Sequence, residues 1–205
     1  LGVGYYFLGD FERAEKELLL AFEQDPTLTF TLLMLGHFYL GLNNFTQAEK
    51  YIRKVLETAE SSFFMILGYY HLSMTYFFQR QFEKALEYIQ MCLELEPNNQ
   101  YGLSGLASIY AALGEKEKAV LKIEETLRNA VPHEYVFEMI ILTYALLQDK
   151  NKVYEWIKRG MQANKIAWAF LEYNPLLEEL RKEVEFQQLL QKAKIDTGIT
   201  LCYDT

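Results

Sequence analysis

The sequence predicts an all-α fold, a right-handed superhelical solenoid of helix-turn-helix units closed by C-terminal capping helices, and three series of residues carry that prediction. Tyr5, Tyr39, Tyr76, Tyr110 and Tyr144 follow one another at steps of 34, 37, 34 and 34, and each lies four residues after Leu1, Leu35, Leu72, Leu106 or Ile140. Ala14, Ala48, Ala85, Ala119 and Val153 repeat with the same spacings and keep a large aliphatic residue four positions on, at Leu18, Ile52, Ile89, Ile123 and Ile157. Prolines form the third series: Pro26 and Pro97 end their units, Pro132 falls one residue late, and the second unit has Glu60 instead. A fixed period of this length marks one supersecondary unit that buries its apolar faces only by stacking on copies of itself.

The first unit, 1–28, begins inside its first helix; by comparison with the second, about six residues before Leu1 are missing in this register. Units follow at 29–62, 63–99, 100–133 and 134–163. In each, one helix leads through a short turn, such as Gly9-Asp10, Asn43-Asn44 or Gly114-Glu115, into a second, antiparallel helix. Leu32, Leu35, Gly36 and Tyr39 share a face at helical spacing, and the bare Gly36 lets the helix carrying Ala48 approach. The three extra residues around Phe63 to Met65 lengthen the first helix of the third unit, with Ser62 as its expected N-cap. Asn44-Phe45-Thr46 matches a glycosylation sequon, but its position in the turn reads as turn chemistry. Residues 164–195 predict short capping helices: Asn174-Pro175 marks a helix start, and Leu177, Leu180, Val184, Phe186, Leu189 and Leu190 offer apolar faces. From Asp196 to Thr205 the period stops, which predicts a loose tail.

These residues resemble the tetratricopeptide repeat, whose unit of about 34 residues carries Trp-x-x-Leu-Gly-x-x-Tyr, then Ala-x-x-x-Phe, then Pro. The resemblance covers about four fifths of the chain. It departs from the family where Leu32, Tyr69, Leu103 and Phe137 replace the Trp, and where Ile141 replaces the small residue beside the Leu. It implies a binding scaffold for protein or peptide partners, with no catalysis of its own. The order Trp156, Trp168, Asn174-Pro175, Leu180, Phe186, Leu189-Leu190 is similar to tails that follow such arrays in bacterial adenylate cyclases, serine/threonine kinases and AraC-type regulators. That similarity implies the sensory or scaffold end of a longer signalling or regulatory protein.

Composition narrows the alternatives. At 51% hydrophobic and 23% charged residues the chain is too apolar to be disordered, and a net charge of −8 argues against direct nucleic-acid binding. Cys92 and Cys202 lie far apart without a Cys-x-x-Cys, which excludes a disulfide framework or zinc ribbon and suits a reducing, cytoplasmic setting. Ser61 to Gln79 is uncharged but carries scattered polar residues, so no membrane span is expected. There is no Gly-x-Gly-x-x-Gly, P-loop or His-Glu-x-x-His, and Gly102-Leu103-Ser104-Gly105 lacks the spacing of a nucleophile elbow. His37, His71 and His133 have no ligand at i+3 or i+4, so neither a metal nor a cofactor is expected. Cys92 occupies a helical slot that is Ala21, Val55, Thr126 or Gly160 elsewhere, a packing position. Glu124-Glu125 and Glu178-Glu179 read as solvated faces.

The working surface is expected on the concave side, lined by the first helices. Its residues are Val3, Tyr6 and Phe7; then Phe30, Leu33, His37 and Leu40; then Leu67, Tyr70, Met74, Phe77 and Phe78; then Tyr101, Ser104, Ser108 and Ala111; and last Tyr135, Glu138, Leu142 and Ala145. It lacks the Lys, Asn and Arg with which some tetratricopeptide domains hold a terminal carboxylate. An aromatic groove without positive charge suits an apolar or aromatic peptide, a helix laid in it, or a second copy of the chain as a homodimer. A small-molecule sensor would instead need a pocket among His37, Tyr70, Phe77 and Tyr101.

Overall fold

The computed structural model describes residues 1–7, 9–128, 134–166 and 168–196; Pro132, His133, Cys202 and the expected tail beyond Asp196 lie outside them, as does the side chain of Phe7. Five helical pairs follow one another: α1 (Gly2–Phe7) with α2 (Phe11–Gln24), α3 (Thr29–Gly41) with α4 (Phe45–Thr58), α5 (Ser62–Phe78) with α6 (Phe82–Leu95), α7 (Gln100–Ala112) with α8 (Lys116–Arg128), and α9 (Glu134–Leu146) with α10 (Lys150–Gln162). After them come α11 (Trp168–Tyr173), 3-10 turns at Pro175–Leu177 and Leu180–Lys182, and α12 (Val184–Asp196). The pairs stack as a right-handed solenoid, each packed chiefly on its neighbours.

The tyrosine period has a backbone cause. Each first helix ends in a residue with positive φ: Gly9, Asn43, Arg80, Gly114 and Gln148. The next residue's N–H then donates back to the tyrosine carbonyl: Asp10 to Tyr5, Asn44 to Tyr39, Gln81 to Tyr76, Glu115 to Tyr110 and Asp149 to Tyr144, all within 2.8–3.0 Å. This is a Schellman closure, in which a left-handed residue lets the chain satisfy the last helical carbonyls while reversing. At three of the five turns the same residue starts the next helix: Asp10, Asn44 and Asp149 accept from the N–H three residues on. Asn44 is therefore turn chemistry, as its position predicted. The expected N-cap of α5 shifts by one, because Ser62 is already helical and Ser61, which makes no side-chain cap bond, precedes it. The three extra residues do lengthen that helix, to 17 residues against 13 in α3.

The tyrosine rings also tie neighbouring units together. Tyr39 donates to Glu15 Oε1 and Tyr76 to Glu49 Oε1, each at 2.7 Å, from one unit to the second helix of the one before. Tyr39 stacks on Tyr51 and Tyr76 on Tyr88, with rings within 7° of parallel. Burial alone would raise the carboxyl of Glu49; the Tyr76 hydroxyl and Arg53 outweigh it and leave the group below its ordinary value. At the positions of Glu15 and Glu49, the third and fourth units have Leu86 and Val120, so this latch does not repeat.

Small residues set the spacing inside each hairpin. A Cβ on Gly36 would stand 2.1 Å from Ile52 Cδ1, so this position must stay bare for α3 and α4 to meet. Ser73 solves the same problem in α5 differently: its Oγ donates 2.7 Å to the carbonyl of Ala85 and is fully buried. Ala14, Ala48, Ala85, Ala119 and Val153 are all at 0% exposure, which puts the second series at the centre of the hairpins. Cys92 is equally enclosed, and burial pushes its thiol up to about 12, an inert packing residue. Among the described residues no helix is long and apolar enough to cross a membrane.

The C-terminal helices do more than shield the last hairpin. Phe186, completely buried, lies edge-on to Tyr154 of α10, whose hydroxyl donates 2.9 Å to Glu183. Lys158 reaches Glu185, and Arg181 donates to the carbonyls of Leu171 and Asn174, fixing the chain between α11 and α12. From this platform α11 reaches back to the first unit. The Trp168 ring occupies the place where a side chain on Gly9 would be, 2.5 Å from an ideal Cβ, and Tyr173 meets Phe11 edge-on with ring centroids 5.4 Å apart.

Candidate functional site

This return turns the concave side into a pocket of about 330 Å³. Its floor comes from first helices: His37 and Leu40 of α3, Tyr70, His71, Met74 and Phe78 of α5, and Tyr135, Glu138, Met139 and Leu142 of α9. Tyr6 of α1 and Phe11 of α2 form one wall, and Ala169, Phe170, Tyr173, Asn174 and Pro175 form another that meets it where Tyr173 touches Phe11. Leu42, Asn43, Tyr173 and Pro175 are exposed and make its rim.

Of the twenty residues expected on the concave face, nine line this pocket: Tyr6, His37, Leu40, Tyr70, Met74, Phe78, Tyr135, Glu138 and Leu142. Tyr101 stands behind them, its ring 5.5 Å from Tyr70 and 6.3 Å from Tyr135. Leu33, Leu67 and Phe77 are buried and do not line the cavity, and the Phe77 ring lies 6.0 Å from Phe82 at the start of its hairpin partner. Phe30 lies outside it at the start of α3, 53% exposed. The pocket sketched among His37, Tyr70, Phe77 and Tyr101 is thus only half right: His37 and Tyr70 line the cavity, the other two do not. Phe11 and the α11 wall were missed. The signal was the aromatic pair Trp168 and Tyr173 in a segment whose only stated task was capping.

The floor gathers histidines that are 34 residues apart in sequence. The rings of His37 and His71 stand 5.3 Å apart, and Tyr135 approaches them at 4.8 and 6.0 Å. Tyr6 meets His37 edge-on at 5.5 Å. Neither imidazole Nδ1 has a hydrogen-bond partner within the protein. Burial lowers the pKa of His37 to about 4; His71 is held well below its ordinary value by burial and then by His37. Both are neutral at physiological pH. Tyr6 and Tyr70 are pushed the other way, by burial first and then by the negative charge of Glu138. Among the described residues no group of three or more metal-ligating side chains comes together. The site offers aromatic surface, two neutral imidazoles and one carboxylate.

An aromatic, partly enclosed concave face on stacked hairpins is the architecture of a protein-interaction scaffold. Residues 31–62 and 66–99 each match a family model described as tetratricopeptide repeat, so two of the units are tetratricopeptide repeats. The fold is similar to that of a tetratricopeptide repeat protein from Parabacteroides merdae, at 18% identity over 93% of this chain and 68% of that one, with a TM-score of 0.67. A thermophilic TPR protein of Thermus thermophilus gives 19% identity, 95% and 96% coverage and a TM-score of 0.65. The Cut9-Hcn1 hetero-tetramer of the APC/C gives 15%, 94% and 41%, and 0.63. No curated protein matches the chain.

Proposed function

We propose that this chain is the interaction or sensory region of a larger signalling or regulatory protein, working in the cytoplasm without catalysis of its own. It takes an apolar or aromatic peptide segment on its concave side. The carrying observation is the pocket, where rings and Met74 from four first helices converge. Its size favours one or two inserted side chains over a whole helix, whose width with side chains is about 10–12 Å. The tail order from Trp156 to Leu189-Leu190 supports the signalling context.

The test follows the Met74 methyl by NMR during titration with acetylated, aromatic-rich hexapeptides. The reading expects Met74 and its pocket neighbours to shift, and Phe78→Ala to weaken binding about tenfold, the loss of one partly buried ring contact of about 1.4 kcal/mol. Shifts confined to exposed Phe30 and Phe63 would move the interface to the outer edge, as self-association through that edge requires.

A further inference from the structure

The pocket floor holds two polar groups to which the rest of the chain supplies no partner. Neither the His37 nor the His71 imidazole makes a side-chain hydrogen bond to any described residue, and both Nδ1 atoms are closed off from solvent. His71 is only 2% exposed and still lines the cavity, so the little surface it keeps opens there. The Nε2 edges are therefore what the two rings turn toward the pocket. A neutral imidazole has one N–H donor and one acceptor nitrogen, and the partner of one nitrogen ordinarily fixes which of them carries the proton. With no partner at Nδ1, either ring is able to donate or to accept at Nε2.

Around this pair the lining is aromatic and aliphatic, with Phe11, Tyr70, Phe78 and Tyr173 beside Leu40 and Leu142. Rings here already meet edge-on, Tyr70 with His71 and Phe11 with Tyr173, the packing that a further flat ring continues. A plain benzene ring fills such a space, but in displacing water from the imidazoles it returns nothing to their nitrogens. A carboxylate gains most from an imidazolium, and burial opposes the second proton on either ring. A hydroxyl is the smallest group that both donates and accepts.

We propose that this pocket binds a phenol, an uncharged aromatic ring whose hydroxyl lies between His37 and His71 while the ring packs among the aromatic walls. The imidazole rings, 5.3 Å apart and inclined at 61°, are close enough for one hydroxyl to donate to the first and accept from the second. The proposal rests on the pocket being the ligand site and adds the ligand's polar tip. The phenol has two sources, a free molecule or the tyrosine side chain of a peptide.

The test is an NMR titration of the whole chain with p-cresol and with p-xylene, which has nearly the same size and no hydroxyl. The expected result is p-cresol binding about tenfold tighter than p-xylene, the worth of one to two net hydrogen bonds. The protons of cresol beside its hydroxyl should give cross-peaks to Hε1 of His37 and His71, and its methyl should face Tyr173. His37→Phe and His71→Phe are each expected to abolish the preference for cresol while p-xylene binds as before; should neither variant fold, the orientation of cresol in the wild-type chain decides. Acetyl-Ala-Tyr-Ala-amide separates the sources: tighter binding than p-cresol identifies a peptide tyrosine, weaker binding a free phenol, and both support the proposal. Equal binding of cresol and xylene, cresol bound with its methyl against the histidines, or no binding of either overturns it. If the aromatic-rich hexapeptides still shift Met74 in that case, the peptide site stands and only the hydroxyl preference falls; cresol bound as expected with no hexapeptide binding removes the peptide and keeps the phenol.

Discussion

Lowering the pH from 6.5 toward 4 is expected to destabilise this protein before its depressed carboxylates, such as Glu49, are titrated. In the unfolded chain the imidazoles of His37 and His71 take up protons near their ordinary value of 6.5; folded, His37 is held at about 4 and His71 lower than usual. Between those values the unfolded state binds more protons than the folded one, so stability is complete above 6.5 and declines as the pH falls through the window. For His37 alone the loss is about 3 kcal/mol at the acidic end, a large fraction of a typical domain's stability. The groups facing these rings are Tyr6 from α1, Tyr70 from α5, and Tyr135 and Glu138 from α9. Urea titrations at pH 7, 6, 5 and 4.5 measure the effect. His37→Gln with His71→Gln is expected to flatten the profile above 4.5, leaving the carboxylate losses, such as that of Glu49, at lower pH. A wild-type profile already flat to 4.5 would mean that water reaches both rings.

A side chain on Gly9 should be the most damaging small substitution outside the hairpin centres. Gly9 has a φ of 74°, and its Cβ would enter the Trp168 ring at 2.5 and 2.7 Å. Gly9→Ala therefore carries about 1–2 kcal/mol of left-handed strain and about as much again for displacing an indole that cannot yield in its packing. Gly114 is the matched control: φ is 80°, but nothing stands within 4 Å of its Cβ position. Gly114→Ala should cost the strain alone. The difference between the two denaturation curves, together with a red shift of tryptophan emission only in Gly9→Ala, reads the contact between α11 and the first unit. Equal losses and unchanged emission would mean that α11 does not rest there.

Much of this fold was legible because a solenoid repeats its local physics. The same Tyr carbonyl closes five turns, Ala sits at four hairpin centres and Val153 at the fifth, and any one unit announces the others. Gly36 was readable as a close approach because a missing side chain at helical spacing has few other uses. What was not legible was long-range. Whether Phe77 points to its hairpin partner or to the superhelix axis depends on about one residue of rotation, and the sequence put it on the wrong side. His37 and His71 looked isolated because their neighbours in space come from other units of the stack, not from i+3 or i+4. The return of α11 depends on curvature accumulated over five units, which no single repeat encodes. Trp168 was visible as part of a tail order, but Tyr173 was not singled out, nor the wall that α11 gives the pocket.

Everything said of the pocket depends on that return. The direct measurement is a nuclear Overhauser spectrum of the chain with Phe11 and Tyr173 selectively labelled. Rings whose centres stand 5.4 Å apart should give clear cross-peaks, alongside peaks from Gly9 Hα to the Trp168 indole. Their absence, with the Tyr39–Tyr51 and Tyr76–Tyr88 contacts intact, would show an open groove and contradict the closed pocket.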